Sequence, residues 1–352
     1  MKNTRRLLAI LLLLASVFTF TVSAANTKDD NNLSVMPINY YAYIENVLPR
    51  YLSINNAVQY NDLKISSPIE VVNGAEENGR MFFITNNDSY IGQLSVTYSN
   101  GTFHSSFMFE DNEYIDSILS TKTPFAIVAY DDDLIIKTAQ SEKMLTLGNT
   151  SSKLGSISLS ELSTVSFVAA DIKTTETTAT LADEPYVSLA VSQVANATVN
   201  GKGLCWAASV AAVSNYRKGT SYDAMDIYDA LNESYNGTPE GSPTWYSRAY
   251  SYCNMTYKYT TPMEFSDLYS ALASKDRPVI FRVRRSENGS YIGHGIVLRY
   301  LYGGNEYATY GFVDPNKTNT VYVDFDDPTC DPNEFVYYNG SRTYPEWIAS
   351  IY

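Results

Sequence analysis

The sequence predicts an α+β fold. Three observations carry the prediction. Helix-period segments gather between about residues 204 and 274, strand-like runs with Gly/Asn-rich turns follow from Val279 to Phe325, and a separate set of alternating runs precedes both. Helices first and an antiparallel sheet afterwards is the order of an α+β domain, not of a parallel α/β one. Thirty tyrosines against 18% charged residues describe a globular, β-rich chain and not a disordered one.

Taken from the N-terminus, Lys2, Arg5 and Arg6 form a basic region, Leu7 to Phe20 is almost unbroken apolar sequence, and Val22-Ser23-Ala24-Ala25 offers small residues for cleavage. This reads as a secretory signal peptide over 1–25, too short and wrongly flanked for a stop-transfer helix. The protein is therefore expected to be secreted and soluble, with no membrane association once the signal is removed. Loss of the three cations moves the formal charge from -13 to about -16. So acidic a chain, without a Lys/Arg cluster, is ill suited to nucleic acid or to an anionic membrane.

Residues 26–170 read as a β-rich α+β module. Tyr40 to Leu48 is a short helix expected to stop or kink at Pro49. Gln93 to Met108 is expected to fold back on Asn100-Gly101, the strongest short hairpin signal in the chain. No catalytic constellation is visible there. Residues 171–185, rich in Thr and closing on Asp183-Glu184-Pro185, read as an extended linker.

Residues 186–352 form the second domain. A helix is expected from Leu204 to Lys218, with Arg217 and Lys218 in its last turn and Gly219 as its stop. A second is expected over Tyr222 to Tyr235, opened by a Thr220/Asp223 capping box and carrying Met225, Tyr228 and Leu231 on one face. A third, Asp267 to Ser274, precedes Pro278. Strands are then expected over Val279 to Val283, Gly293 to Tyr302, Glu306 to Asp314 and Thr320 to Phe325.

The chemistry centres on Gly203-Leu204-Cys205-Trp206-Ala207-Ala208-Ser209, which places a thiol in the first turn of a small-residue helix. Unpaired N–H groups and the positive end of the helix dipole favour a thiolate, the form that attacks a carbonyl carbon. Three cysteines is an odd count for an exported chain: Cys253 and Cys330 either pair, leaving Cys205 free, or are separately buried.

A cysteine nucleophile needs a base, and the base an orienting acceptor. Of two histidines, His104 belongs to the first module, leaving His294 between Gly293 and Gly295. With Gly303-Gly304-Asn305 as a hairpin loop, Tyr302 would face Glu306 and His294 would face Asp314, within carboxylate reach. Asn316, past Pro315, is the alternative orienter. The backbone N–H of Cys205 supplies one oxyanion donor, and Gln193, Asn196 and Asn200 are candidates for a second.

The Cys205-Trp206-Ala207-Ala208-Ser209 helix start, Gly293-His294-Gly295 heading a strand and a strand ending in Asp314-Pro315-Asn316 together resemble the papain-like cysteine peptidases. The likeness is to secreted bacterial members related to staphopain and streptopain and to bacteriocin-leader peptidases. It spans about Tyr186 to Tyr352. It implies a papain-like domain with Cys205 as nucleophile, His294 as general base and acid, Asp314 as orienting residue, and Cys205 N–H with Gln193 as the oxyanion hole. The sequence departs from the family pattern in a longer Gln-to-Cys spacing and in Asp where papain has Asn. By the same resemblance, residues 26–170 would be an inhibitory propeptide, making the chain a zymogen. The other reading of that module is a binding domain that stays attached. The implied partners are protein or peptide substrates and the chain's own propeptide, with no cofactor, on a monomer.

Two other classes stand beside this one. Transglutaminase-like acyl transferases use the same triad, although their histidine is typically followed by aromatic residues and here Gly295-Ile296-Val297 follows. A cell-surface binding protein would have Cys205 as an inert buried thiol. Trp206, Trp245 and Trp347 read as core or cleft-wall aromatics. The Asp131–Asp133 and Asp326–Asp327 turns lack the spacing of a calcium loop, and no Cys/His spacing suggests zinc.

Overall fold

A computed structural model describes residues 40–54, 60, 62–73, 77–99, 102–109, 124–130, 133–138, 142–144, 165–169, 185–235, 237–287, 289–304, 307–317, 319–325, 335–338 and 343–352. The expected signal peptide, all of the expected linker but Pro185, and Cys330 lie outside these residues. The fold is α+β, mostly sheet with a few helices.

The first module contains helix α1 (Tyr40–Ser53) and strands β1 (Leu63–Ser66), β2 (Ile69–Asn73), β3 (Glu77–Asn86), β4 (Ser89–Ser99), β5 (Thr102–Phe109), β6 (Phe125–Tyr130), β7 (Asp133–Thr138), β8 (Glu142–Met144) and β9 (Phe167–Ala169). The β4–β5 hairpin forms where expected, with Ser99 paired to Thr102. Helix α1, however, runs through Pro49 instead of stopping before it. Its last turn is held by tertiary contacts that outweigh the missing hydrogen bond. Tyr51 is fully buried, stacks on Phe107 with ring centroids 5.4 Å apart, and donates its hydroxyl to the Ser105 carbonyl at 3.1 Å.

The second part contains β10 (Tyr186–Ser188), β11 (Thr198–Val199), β12 (Lys202–Gly203), α2 (Cys205–Lys218), α3 (Ala224–Ser234), α4 (Pro243–Tyr252), β13 (Tyr259–Thr260) and α5 (Phe265–Tyr269), which a π turn extends through Ser274. Then come β14 (Val279–Glu287), β15 (Ser290–Gly303), β16 (Ala308–Val313), β17 (Val321–Phe325), β18 (Tyr337–Tyr338), β19 (Thr343–Tyr344) and β20 (Glu346–Ile351). Helix α2 ends at Gly219, whose φ of 65° is the left-handed cap the sequence predicts. Every residue from Trp206 to Ser214 is buried, so α2 is enclosed on all sides, which its run of Ala and Ser permits.

The capping box of α3 sits three positions later than expected. Asp223 accepts from the Asp226 N–H and Asp226 from the Asp223 N–H, each at 2.8 Å, while Thr220 donates to Asn215 Oδ1. Helix α4 is not among the expected helices. Its signal was Ser242-Pro243, a cap followed by proline at the first helical position.

Strand order in the main sheet is β13-β20-β14-β15-β16-β17-β5-β4-β3-β2-β6-β7-β8, with β1, β9 and β10 pairing off this path. The paired strands are antiparallel except for β2 with β6. The sheet thus runs without a break from the second part into the first, through β17 and β5. One hydrophobic cluster joins α2, α3, α4 and β14 to β17, and it includes Met108 of β5.

Candidate active site

Cys205 opens α2, half-buried and unpaired, and no side chain caps the helix, since Leu204 precedes it. What faces that first turn is set by Gly295 on β15. A Cβ at Gly295 would lie 2.7 Å from the Tyr246 hydroxyl, 3.3 Å from Ser209 Oγ and 3.4 Å from Trp206 Cα. The strand therefore passes in van der Waals contact with the start of α2 because residue 295 has no side chain. Ser209 Oγ closes the contact by donating to the Gly295 carbonyl at 2.9 Å. Cys205, next to Trp206, is close enough to His294, next to Gly295, to act on its charge.

His294 is 4% exposed and its Nε2 lies 2.8 Å from Asp314 Oδ1. Asp314 is fully buried and also accepts from the Asn316 N–H at 2.9 Å and the Tyr337 hydroxyl at 2.7 Å. The Tyr344 ring stacks on the imidazole with centroids 5.1 Å apart. Burial opposes protonation of His294, but the negative charge of Asp314, then Tyr344 and Cys205, outweighs it and holds the imidazole well above its ordinary range. For Asp314, burial works against the charged form. The His294 charge and hydrogen bond, with the Asn316 and Tyr337 donors, prevail and hold the carboxyl well below the usual carboxylate range. Because Nε2 is spent on Asp314, Nδ1 is the nitrogen left for the thiol.

The His294–Asp314 pair forms, but not through the expected register. Tyr302 pairs with Thr309 and not Glu306, because Gly303 is opposite Ala308 at the end of the ladder, where Gly304 N–H donates to the Tyr307 carbonyl at 2.9 Å. A slip of three would turn the wrong face to the histidine. A β-bulge between Leu298 and Tyr300 takes one residue back, and Val297 then pairs with Val313. Continued, this register sets Asp314 across from Ile296, diagonal to His294 on the same face, where a carboxylate still reaches. The position directly opposite His294 would be Asn316.

Gln193, sought as an oxyanion donor, has its amide turned to Asp314. Nε2 donates to the Asp314 carbonyl at 2.6 Å and lies 3.4 Å from that of Val194. Asn196 belongs to the same clamp, its N–H donating to the Pro315 carbonyl at 2.9 Å and its amide to Asn316 Oδ1 at 2.8 Å. Asn200 is exposed, with φ 51°, in the turn between β11 and β12. The segment upstream of the nucleophile thus holds the turn that carries the aspartate.

His104 lies on β5 paired to Thr97, its imidazole held below the ordinary range by burial. Cys253 is unpaired at the end of α4, and burial pushes its thiol up to about 11, leaving it a poor nucleophile. Groups of acidic, His and Cys side chains able to hold a metal are absent among the described residues, as is any helix long and apolar enough to cross a membrane.

Sequence reasoning missed Tyr246, Tyr337 and Tyr344. Nothing separates them in advance from the other tyrosines of a chain with thirty. Searches against protein-family models and against curated proteins return no match to this chain.

Proposed function

We propose that the chain is an exported cysteine endopeptidase of the papain-like type, with Cys205 as nucleophile, His294 as acid and base, and Asp314 as orienter. The observation that carries this reading is the buried His294–Asp314 hydrogen bond beside the point where Gly295 meets the first turn of α2. An inert core cysteine has no need of an imidazole oriented by a carboxylate that is itself held by two further donors.

In the proposed reaction Cys205 Sγ, as thiolate, attacks the peptide carbonyl carbon and forms a C–S bond. The oxyanion is met by the Cys205 N–H at the start of α2. His294 Nδ1–H passes its proton to the departing amide nitrogen as the C–N bond breaks, leaving a thioester. Neutral Nδ1 then takes a proton from water. The hydroxide adds to the thioester carbonyl and the C–S bond breaks, restoring the thiolate and imidazolium. Asp314 keeps the ring in one orientation and stabilises its charged form. Export rests on the basic-apolar-small pattern of residues 1–25.

The test is cleavage of an unfolded protein substrate by the full chain, with and without iodoacetamide, against Cys205→Ala. Cleavage lost on alkylation and absent in the variant is the expected result. Amine incorporation into glutamine side chains without cleavage, or cleavage by Cys205→Ala, would overturn it.

A further inference from the structure

The family resemblance implies that the first module is an inhibitory propeptide, the other reading being a domain that stays attached, and its junction with the rest of the chain has the build of a core. Strand β5 pairs with β17, Phe107 to Tyr322 and Ser106 to Val323. Met108 is buried in the cluster formed by α2 and β14 to β17. Tyr51 of α1 bridges both sides: its hydroxyl donates to the Ser105 carbonyl of β5 and accepts the Asp324 N–H of β17 at 2.9 Å. Arg50 reaches Asp324 at 2.6 Å, where the carboxylate is 3% exposed, and its guanidinium lies 4.8 Å from the centre of the Tyr307 ring. Releasing the module would leave β17 with an open edge, the Asp324 carboxylate without Arg50, and an uncovered core.

The same module reaches the candidate site by a second route. In the β18–β19 hairpin Tyr337 pairs with Tyr344 and Tyr338 with Thr343. Side chains alternate along a strand, so Tyr337 and Tyr344 share one face and Tyr338 takes the other. The first face holds Asp314 through the Tyr337 hydroxyl and covers His294 with the Tyr344 ring. The second bears on the N-terminal module, where a Cβ at Gly79 of β3 would collide with the Tyr338 hydroxyl. Tyr338 is buried in that contact.

We propose that the N-terminal module is a permanent part of the working body, and that it positions the His294–Asp314 pair by bearing on the Tyr337–Tyr344 hairpin. The seam stands whatever the chemistry of the site; the positioning role rests on the reading of His294 and Asp314 given above.

The test uses the full chain with a specific protease site placed between residues 174 and 180, cut after folding. The fragments are expected to co-elute on size exclusion in native buffer and to separate only in urea that also unfolds the chain. The chain has two histidines, so the imidazole C–H signals of His104 and His294 can be followed separately by NMR. Nicking is expected to leave the His294 titration unchanged. Gly79→Leu, in the uncut chain, is expected to move its midpoint down toward the ordinary value of about 6.5. Partial unfolding alone would reduce the signal without moving its midpoint. Fragments that part in native buffer, or a Gly79→Leu titration identical to wild type, overturn the proposal. Failure to cleave any peptide would overturn the peptidase reading and leave both readouts standing.

Discussion

Gly295→Ala is a minimal change at the point where strand and nucleophile helix meet. The added Cβ would stand 2.7 Å from the Tyr246 hydroxyl and 3.4 Å from Trp206 Cα, so the first contact falls about 0.5 Å or more short of van der Waals distance. Tyr246 is 1% exposed and its ring packs edge-on to Trp206, so relief requires β15 or the start of α2 to move. Overpacking of this kind costs about 1–3 kcal/mol. A shift of that size between nucleophile and base costs about tenfold in rate, since a displacement of ~1 Å costs ~100-fold. The assay is the second-order rate of Cys205 alkylation by iodoacetamide at pH 6, read by peptide mass so that Cys253 and Cys330 do not interfere, with urea midpoints alongside. Tyr246→Phe removes the colliding oxygen, so Gly295→Ala/Tyr246→Phe should recover most of both losses. An alkylation rate within twofold of wild type in Gly295→Ala, or no recovery in the double variant, would refute the account of how Cys205 and His294 are brought together.

Tyr337→Phe keeps the ring but removes a donor to the buried Asp314 carboxylate, which should cost about 1.5–3 kcal/mol in urea denaturation at pH 7. That donor favours the charged form, so the loss should be full above about pH 4 and shrink as pH falls toward the depressed Asp314 value; a loss independent of pH would contradict it. Asp314→Asn leaves an acceptor for His294 but no charge. The alkaline limb of the alkylation profile, raised in wild type, should then fall toward about 6.5, and an unmoved limb would show that Asp314 does not hold the imidazolium. By the same linkage, the stability His294 contributes is complete below about pH 6.5 and is lost as pH rises through its elevated value. Arg50→Ala removes a cation from Asp324 in the seam, and because Arg50 is itself 24% exposed, about 1–3 kcal/mol of stability should go; a urea midpoint unchanged from wild type would place no weight on that pair.

What could be read in advance followed the range of each signal. Cys205 and the end of its helix were legible because they rest on a few adjacent residues, a thiol after Gly-Leu and a glycine after Arg-Lys. The α3 capping box was misplaced because Thr220 and Asp223 offer the same chemistry three residues apart, and only the tertiary use of Thr220 by Asn215 decides between them. The site itself depends on longer-range facts. The bulge near Arg299 restores the face on which Asp314 meets His294, and neither its place nor the register of the Tyr302–Thr309 pair beyond it is written in the alternation of apolar residues.

The seam was the least legible feature, for a physical reason. An edge strand offers the same row of N–H and C=O groups to any partner, so Val321–Phe325 shows that it will pair but not with what. One residue did carry information. Asp324 sits in a strand flanked by Val323 and Phe325, and a carboxylate in such a run must either face water or find a cation and donors. Its side chain is only 3% exposed, with Arg50 at 2.6 Å and Thr309 Oγ1 at 3.2 Å. A cation for it had to come from somewhere in the chain, and it comes from a helix 274 residues upstream. Read that way, one such acid in a C-terminal strand already argues that the N-terminal module is packed against it and is not merely tethered.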